Sequence, residues 1–470
     1  MSQLPEHTAQ ELADLIRSRK ISPVDVVQDC LDRIDLVQPT FNPFCFVYPE
    51  DALAEARSAE AAVIRGDELG PLHGVPVAFK DFTPTKGRRT TRGSYCFENW
   101  IPDFDPVIVR RFRKAGAITI GKTTTPEFAH SSFTRSPLWD HTRNPWDAGK
   151  TSGGSSGGSG VAVATGCVPL AEGTDMGGSV RIPAALCGVV GLKPSLGRIP
   201  MDILDTSFDD MSHFGPLART VADAALFLRI AEGPDDADIN SQIAPVPLPD
   251  EFETDLTGLK IALSSDLGFY AVHPEVELNL RACAASLADA GAVVNEVELA
   301  WTSDIVDAWM QWWGVYQAAA FAHWLPEHRD RMDPNVVALI DNGLATDAVT
   351  FKRIETIRTH QWHALASVFA NYDALICPTM ALPAVDAEMN DHEFGGFDAN
   401  GKLMEFDMTG PFNMVAQCPA LSVPSGATET GLPTGIQIIA RRFDDPTALR
   451  IGAAIEKQRP WKTWHPNVTN

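Results

Sequence analysis

A run of glycine and serine dominates the middle of the chain. Residues 151–181 read TSGGSSGGSGVAVATGCVPLAEGTDMGGSVR, with one glycine-serine turn at 153–160 and a second at 177–179. Glycine is favoured where the backbone turns sharply or approaches another group closely. Two such turns present hydroxyls and backbone N–H groups that together can stabilise negative charge. A flexible linker is the alternative, but the apolar run at 161–164 predicts a short buried strand directly after the first turn.

Composition is typical of a globular protein of enzyme size. The 470 residues, 44% hydrophobic and 21% charged, allow several domains or one large α/β domain. A formal net charge of −23 disfavours nucleic acid and anionic membranes as partners. The eight cysteines show no C-x-x-C pair and no zinc-ligand spacing, which is typical of buried thiols in a reducing compartment. Because no signal-peptide pattern or membrane-length apolar run is found, we expect a cytoplasmic protein.

Apolar periodicity alternates between helix and strand along the chain. Segments with the helical pattern are 8–38, 51–65 and the tryptophan-rich 301–345. A strand predicted at 75–79 ends at Lys80, and strands recur around predicted helices in the second half. The alternation predicts an α/β protein. The stretch 233–257, rich in proline and aspartate, is the best internal linker.

Two familiar motifs match the glycine-rich stretch only in part. Gly149, Lys150 and Thr151 resemble the end of a phosphate-binding P-loop, but Asn144 stands where that motif requires glycine. The residues at 153–157 match the G-x-S-x-G nucleophile elbow, but no strand precedes them. Nucleotide binding at Gly149-Lys150-Thr151 is kept as the alternative function from a different class.

A third interpretation combines Lys80, the first glycine-serine turn and Ser179. A serine hydroxyl is a poor nucleophile until a base takes its proton, and no histidine lies within the glycine-rich stretch. Lysine can serve as that base when burial removes its charge. Taken alone, however, Lys80 is also consistent with a surface lysine whose stem covers apolar residues.

Several sequence blocks together carry a family resemblance. They are 74–76 with Lys80-Asp81, 142–146, 153–158, 173–179, 181–184, 188–194, 215–219, 373–378 and 433–439. These blocks resemble the amidase signature family over nearly the whole chain. The resemblance implies an α/β fold in which a single large mixed β-sheet core is flanked on both faces by helices.

The resemblance also implies one domain over 1–470 with an internal order. Its predicted parts are N-terminal helices at 1–65, the signature core at 66–232, a variable helical substrate-pocket region at 245–405, and C-terminal strands and a helix at 406–470. The resemblance is weakest from about residue 245 to residue 343, where members of the family differ most.

A Ser-cisSer-Lys triad is the chemistry that the resemblance implies. Carried over by position, Ser179 is the nucleophile, Ser155 the bridging serine after a cis Gly154–Ser155 bond, and Lys80 the base. The implied oxyanion hole consists of the backbone N–H groups of Met176, Gly177, Gly178 and Ser179. The implied supporting residues are Ser156, Asp175 and Arg181. The chemistry requires no metal and no cofactor, and His73, His130 and His213 are expected to be structural or to line the pocket.

The predicted function is amide-bond hydrolysis through an acyl-enzyme. The irregular segment 123–146 and the aromatic residues Phe128, Trp309, Trp313 and Phe412 are predicted to surround an aryl or apolar group of the substrate. Esters and carbamates are further substrate classes. The alternative is the amidase component of a glutamyl-tRNA(Gln) amidotransferase, from which 207–213 departs. The expected binding partner is a small amide, ester or carbamate substrate, and no nucleic acid or membrane is expected to bind. The sequence leaves the oligomeric state open, with a homodimer as one option.

Overall fold

Within residues 7–461 and 465–468, which the computed structural model describes, strands form one large sheet and one small hairpin. The ends of the predicted segments 1–65 and 406–470 therefore lie partly outside the described residues. The strands are β1 (Phe44–Val47), β2 (Pro76–Lys80), β3 (Ile118–Thr123), β4 (Arg135–Ser136), β5 (Asp140–His141), β6 (Leu170–Asp175), β7 (Val190–Lys193), β8 (His213–Ala218), β9 (Lys260–Leu263), β10 (Val293–Glu296), β11 (Ala374–Pro378), β12 (Ala420–Ala427) and β13 (Pro433–Ala440).

Eleven of these strands make a mixed sheet in the order β1-β3-β2-β6-β8-β7-β12-β13-β11-β9-β10. β2 lies between β3 and β6 and runs parallel to both. β1 is antiparallel to β3 and β8 is antiparallel to β6, so the sheet is mixed on both sides of this parallel group. Both halves of the chain contribute to one sheet, because β9 and β10 extend it beyond β11. The predicted α/β class with a large mixed sheet is confirmed.

Helices flank this sheet. They are α1 (Ala9–Arg17), α2 (Pro23–Phe41), α3 (Pro49–Arg65), α4 (Val107–Lys114), α5 (Gly157–Ala164), α6 (Arg181–Cys187), α7 (Val221–Ala231), α8 (Pro274–Asp289), α9 (Asp304–Phe321), α10 (Leu325–His328), α11 (Pro334–Ala345), α12 (Ala348–Phe369) and α13 (Asp445–Gln458). Local sequence explains several starts: Thr8 and Glu11 form a capping box at α1, and the Ser22 side chain caps α2 before Pro23. None of the helices in the described part of the chain is long and apolar enough to cross a membrane.

The central strands carry the site at one edge of the sheet. Every residue of β2, β8 and β13 is buried, so these strands are covered on both faces. Lys80 is the last residue of β2 and Asp175 the last of β6. Because parallel strands end at the same edge, the sheet brings these two positions together from distant parts of the chain.

The segment 161–164 corrects one expectation. It lies in helix α5 rather than in a strand, and all eight residues of that helix are buried. A short, uniformly apolar run has no polar face that would separate the period of a helix from that of a strand. Gly157, Gly158 and Gly160 are part of the same helix, so the first glycine-serine turn leads into a helix and is not a linker.

Candidate active site

Lys80 is fully buried, which excludes the alternative of a surface lysine. Its Nζ donates to Ser155 Oγ at 2.6 Å and to Thr174 Oγ1 at 2.9 Å. Burial lowers the pKa of Lys80 to about 7, while the nearby carboxylates of Glu172 and Asp175 raise it. Lys80 is therefore a lysine that can be neutral near neutral pH, which is the property a general base requires.

Ser155 lies where the first glycine-serine turn enters α5. The Gly154–Ser155 peptide bond is cis, and Ser155 is fully buried. The Thr134 hydroxyl donates to the Gly153 carbonyl at 2.8 Å and accepts from the Gly157 N–H at 3.1 Å, so one threonine holds both sides of the turn. The turn thereby directs the Ser155 hydroxyl toward Lys80.

Ser179 lies beside the same turn on the wall of a cavity. Its carbonyl accepts a hydrogen bond from the Ser156 N–H at 3.1 Å, which fixes the second glycine-serine turn against the first. Ser155 and Ser179 both line the cavity, and Ser179 is partly exposed there. The Ser156 hydroxyl donates to the Thr174 carbonyl at 3.3 Å, so Ser156 ties the start of α5 to the end of β6.

Asp175 and Arg181 form a buried ion pair beneath the second turn. Arg181 Nε and Nη2 each donate to a different carboxylate oxygen at 3.0 Å, and Asn413 Nδ2 donates at 2.9 Å. Burial alone would raise the pKa of Asp175, but the charge and hydrogen bonds of Arg181 hold it below its usual range. The carboxylate is thus ionised and rigid.

The backbone N–H of Gly178, one of the four predicted oxyanion donors, already has an acceptor. Its N–H donates to Asp175 Oδ1 at 2.9 Å, so this amide serves the ion pair. With φ at +126°, and with Thr409 Oγ1 occupying the place where a Cβ would stand, position 178 requires glycine for shape. The N–H groups of Met176, Gly177 and Ser179 have no acceptor among the described residues.

Two side chains hold the carbonyl side of this turn. Trp309 Nε1 donates to the Met176 carbonyl at 3.2 Å, and the Thr409 hydroxyl donates to the Gly177 carbonyl at 2.6 Å. The turn is therefore fixed from α9 and from the segment before β12. Trp309 therefore makes a hydrogen bond in addition to offering aromatic surface, and the sequence did not indicate this hydrogen bond.

The cavity above the turn is lined largely by apolar and aromatic side chains. Phe128, Trp309 and Trp313 line it as predicted. Phe412 does not: it is fully buried and packs against Trp301 at 5.5 Å between ring centroids. The sequence around Phe412 does not show whether this side chain lines the cavity or packs in the core. Lining residues that the sequence did not indicate include Phe82, Met201, Ile203, Leu204 and Tyr316.

Residues 149–151 do not form a phosphate-binding loop. Lys150 and Thr151 make isolated strand bridges with Asp386 and Arg143 and do not open a helix. A P-loop needs its backbone N–H groups at a helix start. The nucleophile-elbow interpretation also lacks its preceding strand.

Among the described residues, no group of three or more histidine, cysteine, aspartate or glutamate side chains could hold a metal ion. Of the histidines, His130 lines the cavity, whereas His213 is buried between the Asp175 and Ala416 carbonyls, each 3.3 Å from a ring nitrogen.

Known proteins match this chain over nearly its full length. The Amidase family model matches residues 25–449. An acylamidase from Rhodococcus erythropolis is 35% identical over 463 residues, which cover 98% of this chain and 97% of that protein. A glutamyl-tRNA(Gln) amidotransferase component from Chloroflexus aurantiacus is 34% identical over 500 residues, covering 100% of each. The crystal structure of a bacterial aryl acylamidase has a TM-score of 0.92 at 28% identity, covering 99% of this chain and 98% of that one.

Fold and relatives together define a hydrolase that acts on carbon–nitrogen bonds other than peptide bonds. The chain belongs to the amidase signature family, as its sequence blocks predicted.

Proposed function

We propose that this protein hydrolyses aryl or apolar amides through an acyl-enzyme, with Ser179 as nucleophile, Ser155 as proton relay and Lys80 as base. The observation that carries the proposal is the 2.6 Å hydrogen bond from Lys80 Nζ to Ser155 Oγ, buried beneath a cavity that Ser179 lines. A lysine whose pKa falls near 7 supplies a neutral amine without a histidine.

In the acylation step the Ser179 oxygen forms a bond to the acyl carbon. Its proton passes to Ser155 Oγ as the Ser155 proton passes to the neutral amine of Lys80. The carbonyl oxygen becomes an oxyanion, and the amides of Met176, Gly177 and Ser179 are the donors that stabilise it. Each such donor contributes roughly 3 kcal/mol to the transition state.

The same relay runs in reverse when the carbon–nitrogen bond breaks. Lys80 returns its proton through Ser155 to the leaving amine, which departs neutral. A water molecule then loses a proton to the relay, attacks the acyl carbon and frees Ser179. Esters and carbamates present the same type of acyl carbon, so this route also serves them.

The cavity supports an aryl or apolar substrate group. Phe128, Trp309, Trp313 and Tyr316 contribute ring surface beside Ser179, and burial of apolar area contributes roughly 25 cal/mol per Å². A second, larger cavity shares Trp309 and Trp313 with the first, so it can accept the part of a larger substrate that extends outward.

The likeness to amidotransferase components supports a second candidate, the amidase component of a glutamyl-tRNA(Gln) amidotransferase. The aromatic wall of the cavity favours the first candidate, because the rings of Phe128, Trp309, Trp313 and Tyr316 match an aryl group better than a glutamine side chain.

The test uses the purified chain alone with a panel of anilides, primary amides, esters and carbamates. We expect turnover of anilides and its loss by at least about 10³-fold in Ser179→Ala, with thermal unfolding unchanged. Turnover of glutamine only, or only with added partner proteins, would favour the second candidate. Full activity of Ser179→Ala would contradict both.

A further inference from the structure

Two buried ion pairs lie near Lys80. The buried carboxylate of Glu172 belongs to neither of these pairs and can compensate the charge of Lys80. The neighbouring pairs are Asp175 with Arg181 at 3.0 Å and Asp81 with Lys122 at 3.9 Å. Glu172, on β6 beside β2, is 1% exposed. A buried carboxylate is costly unless a positive charge or hydrogen-bond donors compensate it. The sequence did not single out Glu172.

Glu172 is held by donors from the strand that carries Lys80 and from the turn after it. Its Oε2 accepts the backbone N–H of Lys80 at 2.9 Å, and its Oε1 accepts the Thr83 hydroxyl at 2.9 Å. The Glu172 carbonyl accepts the Ser159 hydroxyl at 2.8 Å, which ties β6 to α5. The carboxylate is therefore held at the backbone of Lys80 and at the turn that follows β2.

We propose that Glu172 is a positioning residue for the reaction: its carboxylate fixes the backbone of Lys80 and supplies the buried negative charge that stabilises the Lys80 ammonium while it holds the transferred proton. This inference rests on the proposed function, in which Lys80 is the base. Glu172 acts through space, because the hydrogen bonds of Lys80 Nζ go to Ser155 and Thr174.

The other charged groups near Lys80 do not replace this role. Asp175 also raises the pKa of Lys80, but Arg181 compensates its charge. Burial raises the pKa of Glu172 to about 7, and the hydrogen bonds of Lys80 and Thr83 and the charges of Lys80 and Lys122 oppose that rise. Lys122 has Asp81 as its own partner. Helix α5, packed on β2 and β6, carries no ionisable side chain, and the buried residues of α2 are apolar or cysteine.

The test is the pH dependence of kcat/KM in Glu172→Gln. Glutamine keeps an oxygen for the Lys80 N–H and a group that can pair with the Thr83 hydroxyl. Removing the charge destabilises the ammonium, so the pKa of Lys80 falls and the acid limb of the profile moves to lower pH by about one unit. Because Lys80 is then a weaker base, we expect the plateau above the limb to fall by about tenfold.

Two further variants make the result specific. Thr83→Val removes the hydroxyl that donates to the Glu172 carboxylate, so the negative charge near Lys80 is stabilised less. The acid limb should therefore move to lower pH, by a smaller amount than in Glu172→Gln. This variant tests the inference if Glu172→Gln does not fold. Glu127→Gln removes another buried carboxylate, one that accepts from the Ser94 hydroxyl at 2.6 Å and does not face Lys80. Its acid limb should coincide with that of the unaltered protein.

The outcomes separate this inference from the proposed function. A lower plateau with an unmoved acid limb in Glu172→Gln and Thr83→Val would show a merely structural role and overturn the inference. Retained activity in Lys80→Arg would overturn the proposed function instead. A shifted limb in both Glu172→Gln and Thr83→Val, with an unshifted limb in Glu127→Gln, supports the inference.

Discussion

Lys80 is an amine whose ordinary pKa would keep it charged at neutral pH, and burial at the end of β2 changes that. The desolvated amine has a pKa of about 7, and its two hydrogen bonds reach only hydroxyls. A hydroxyl can pair with either the neutral or the charged amine, so the site imposes no fixed protonation state. The proposed relay depends on that freedom.

The first prediction concerns this protonation state. Because only neutral Lys80 can accept the proton that leaves Ser179 by way of Ser155, kcat/KM should rise with pH through about 7 and level off above it. Lys80→Arg should lower kcat/KM by at least about 10³-fold at every pH, since a guanidinium stays charged. Steady-state kinetics from pH 5 to 9, roughly the range that spans this pKa, measure both. A profile without an acid limb would contradict the account.

Single residues show what the sequence could and could not predict. The motif blocks located Lys80, Ser155 and Ser179. Ser155 and Ser179 line one cavity, and the buried Lys80 bonds to Ser155. The partner of the Gly178 amide was not predictable, because the direction of an N–H depends on the backbone conformation of the turn. Glu172 was missed because a single acidic residue in a strand carries no pattern of its own.

At the scale of elements, the turn at 176–178 between β6 and α6 is under tight steric control. Trp309 of α9 bonds the Met176 carbonyl and also lies against Gly177. Helix α9 thus contributes to the position of the proposed oxyanion donors, although it lies about 130 residues further along the chain.

The second prediction uses that contact. A Cβ at position 177 would overlap Trp309 Cζ2, so Gly177→Ala must displace the turn or the ring. We expect kcat/KM to fall by about 10²-fold, because small misplacement of catalytic donors is costly. Gly410→Ala is the matched control: its Cβ would lie 3.5 Å from the same ring, an ordinary contact. Equal kinetics for the two variants would contradict the role of the turn.

Element prediction succeeded where amphipathic periodicity was strong and failed where burial was complete. The helices predicted at 8–38 correspond to α1 and α2, whose apolar faces alternate with exposed residues. The fully buried run in α5 was mistaken for a strand, since a helix without a polar face has no periodic signal.

At the scale of the whole molecule, the cavity is assembled from segments far apart in sequence. Its wall comes from 128–132, 174–179, 201–204 and α9. From the sequence, residues were assigned to the cavity because they are aromatic. Phe412 shows the limit of that approach, because packing between distant elements decides whether a ring faces a cavity or the core. The segment 201–204 carried no predictive signal at all.

The third prediction tests the size of the cavity. Leu204→Trp adds a ring to its wall, so the ratio of kcat/KM for an anilide to that for acetamide should fall by about tenfold. Leu36→Trp is a matched control, because Leu36 is 45% exposed on α2 and does not line the cavity. Both ratios come from competitive or parallel initial-rate assays. An unchanged ratio in Leu204→Trp would place the aryl group elsewhere.

The most direct test of the account is covalent labelling by a fluorophosphonate, which reports the activated serine. The intact protein is labelled, digested and mapped by mass spectrometry. We expect modification of Ser179, its loss in Ser179→Ala, and a much slower reaction at the same residue in Ser155→Ala and Lys80→Arg. Labelling of Ser155 or of any other serine in the folded protein would contradict the proposed relay.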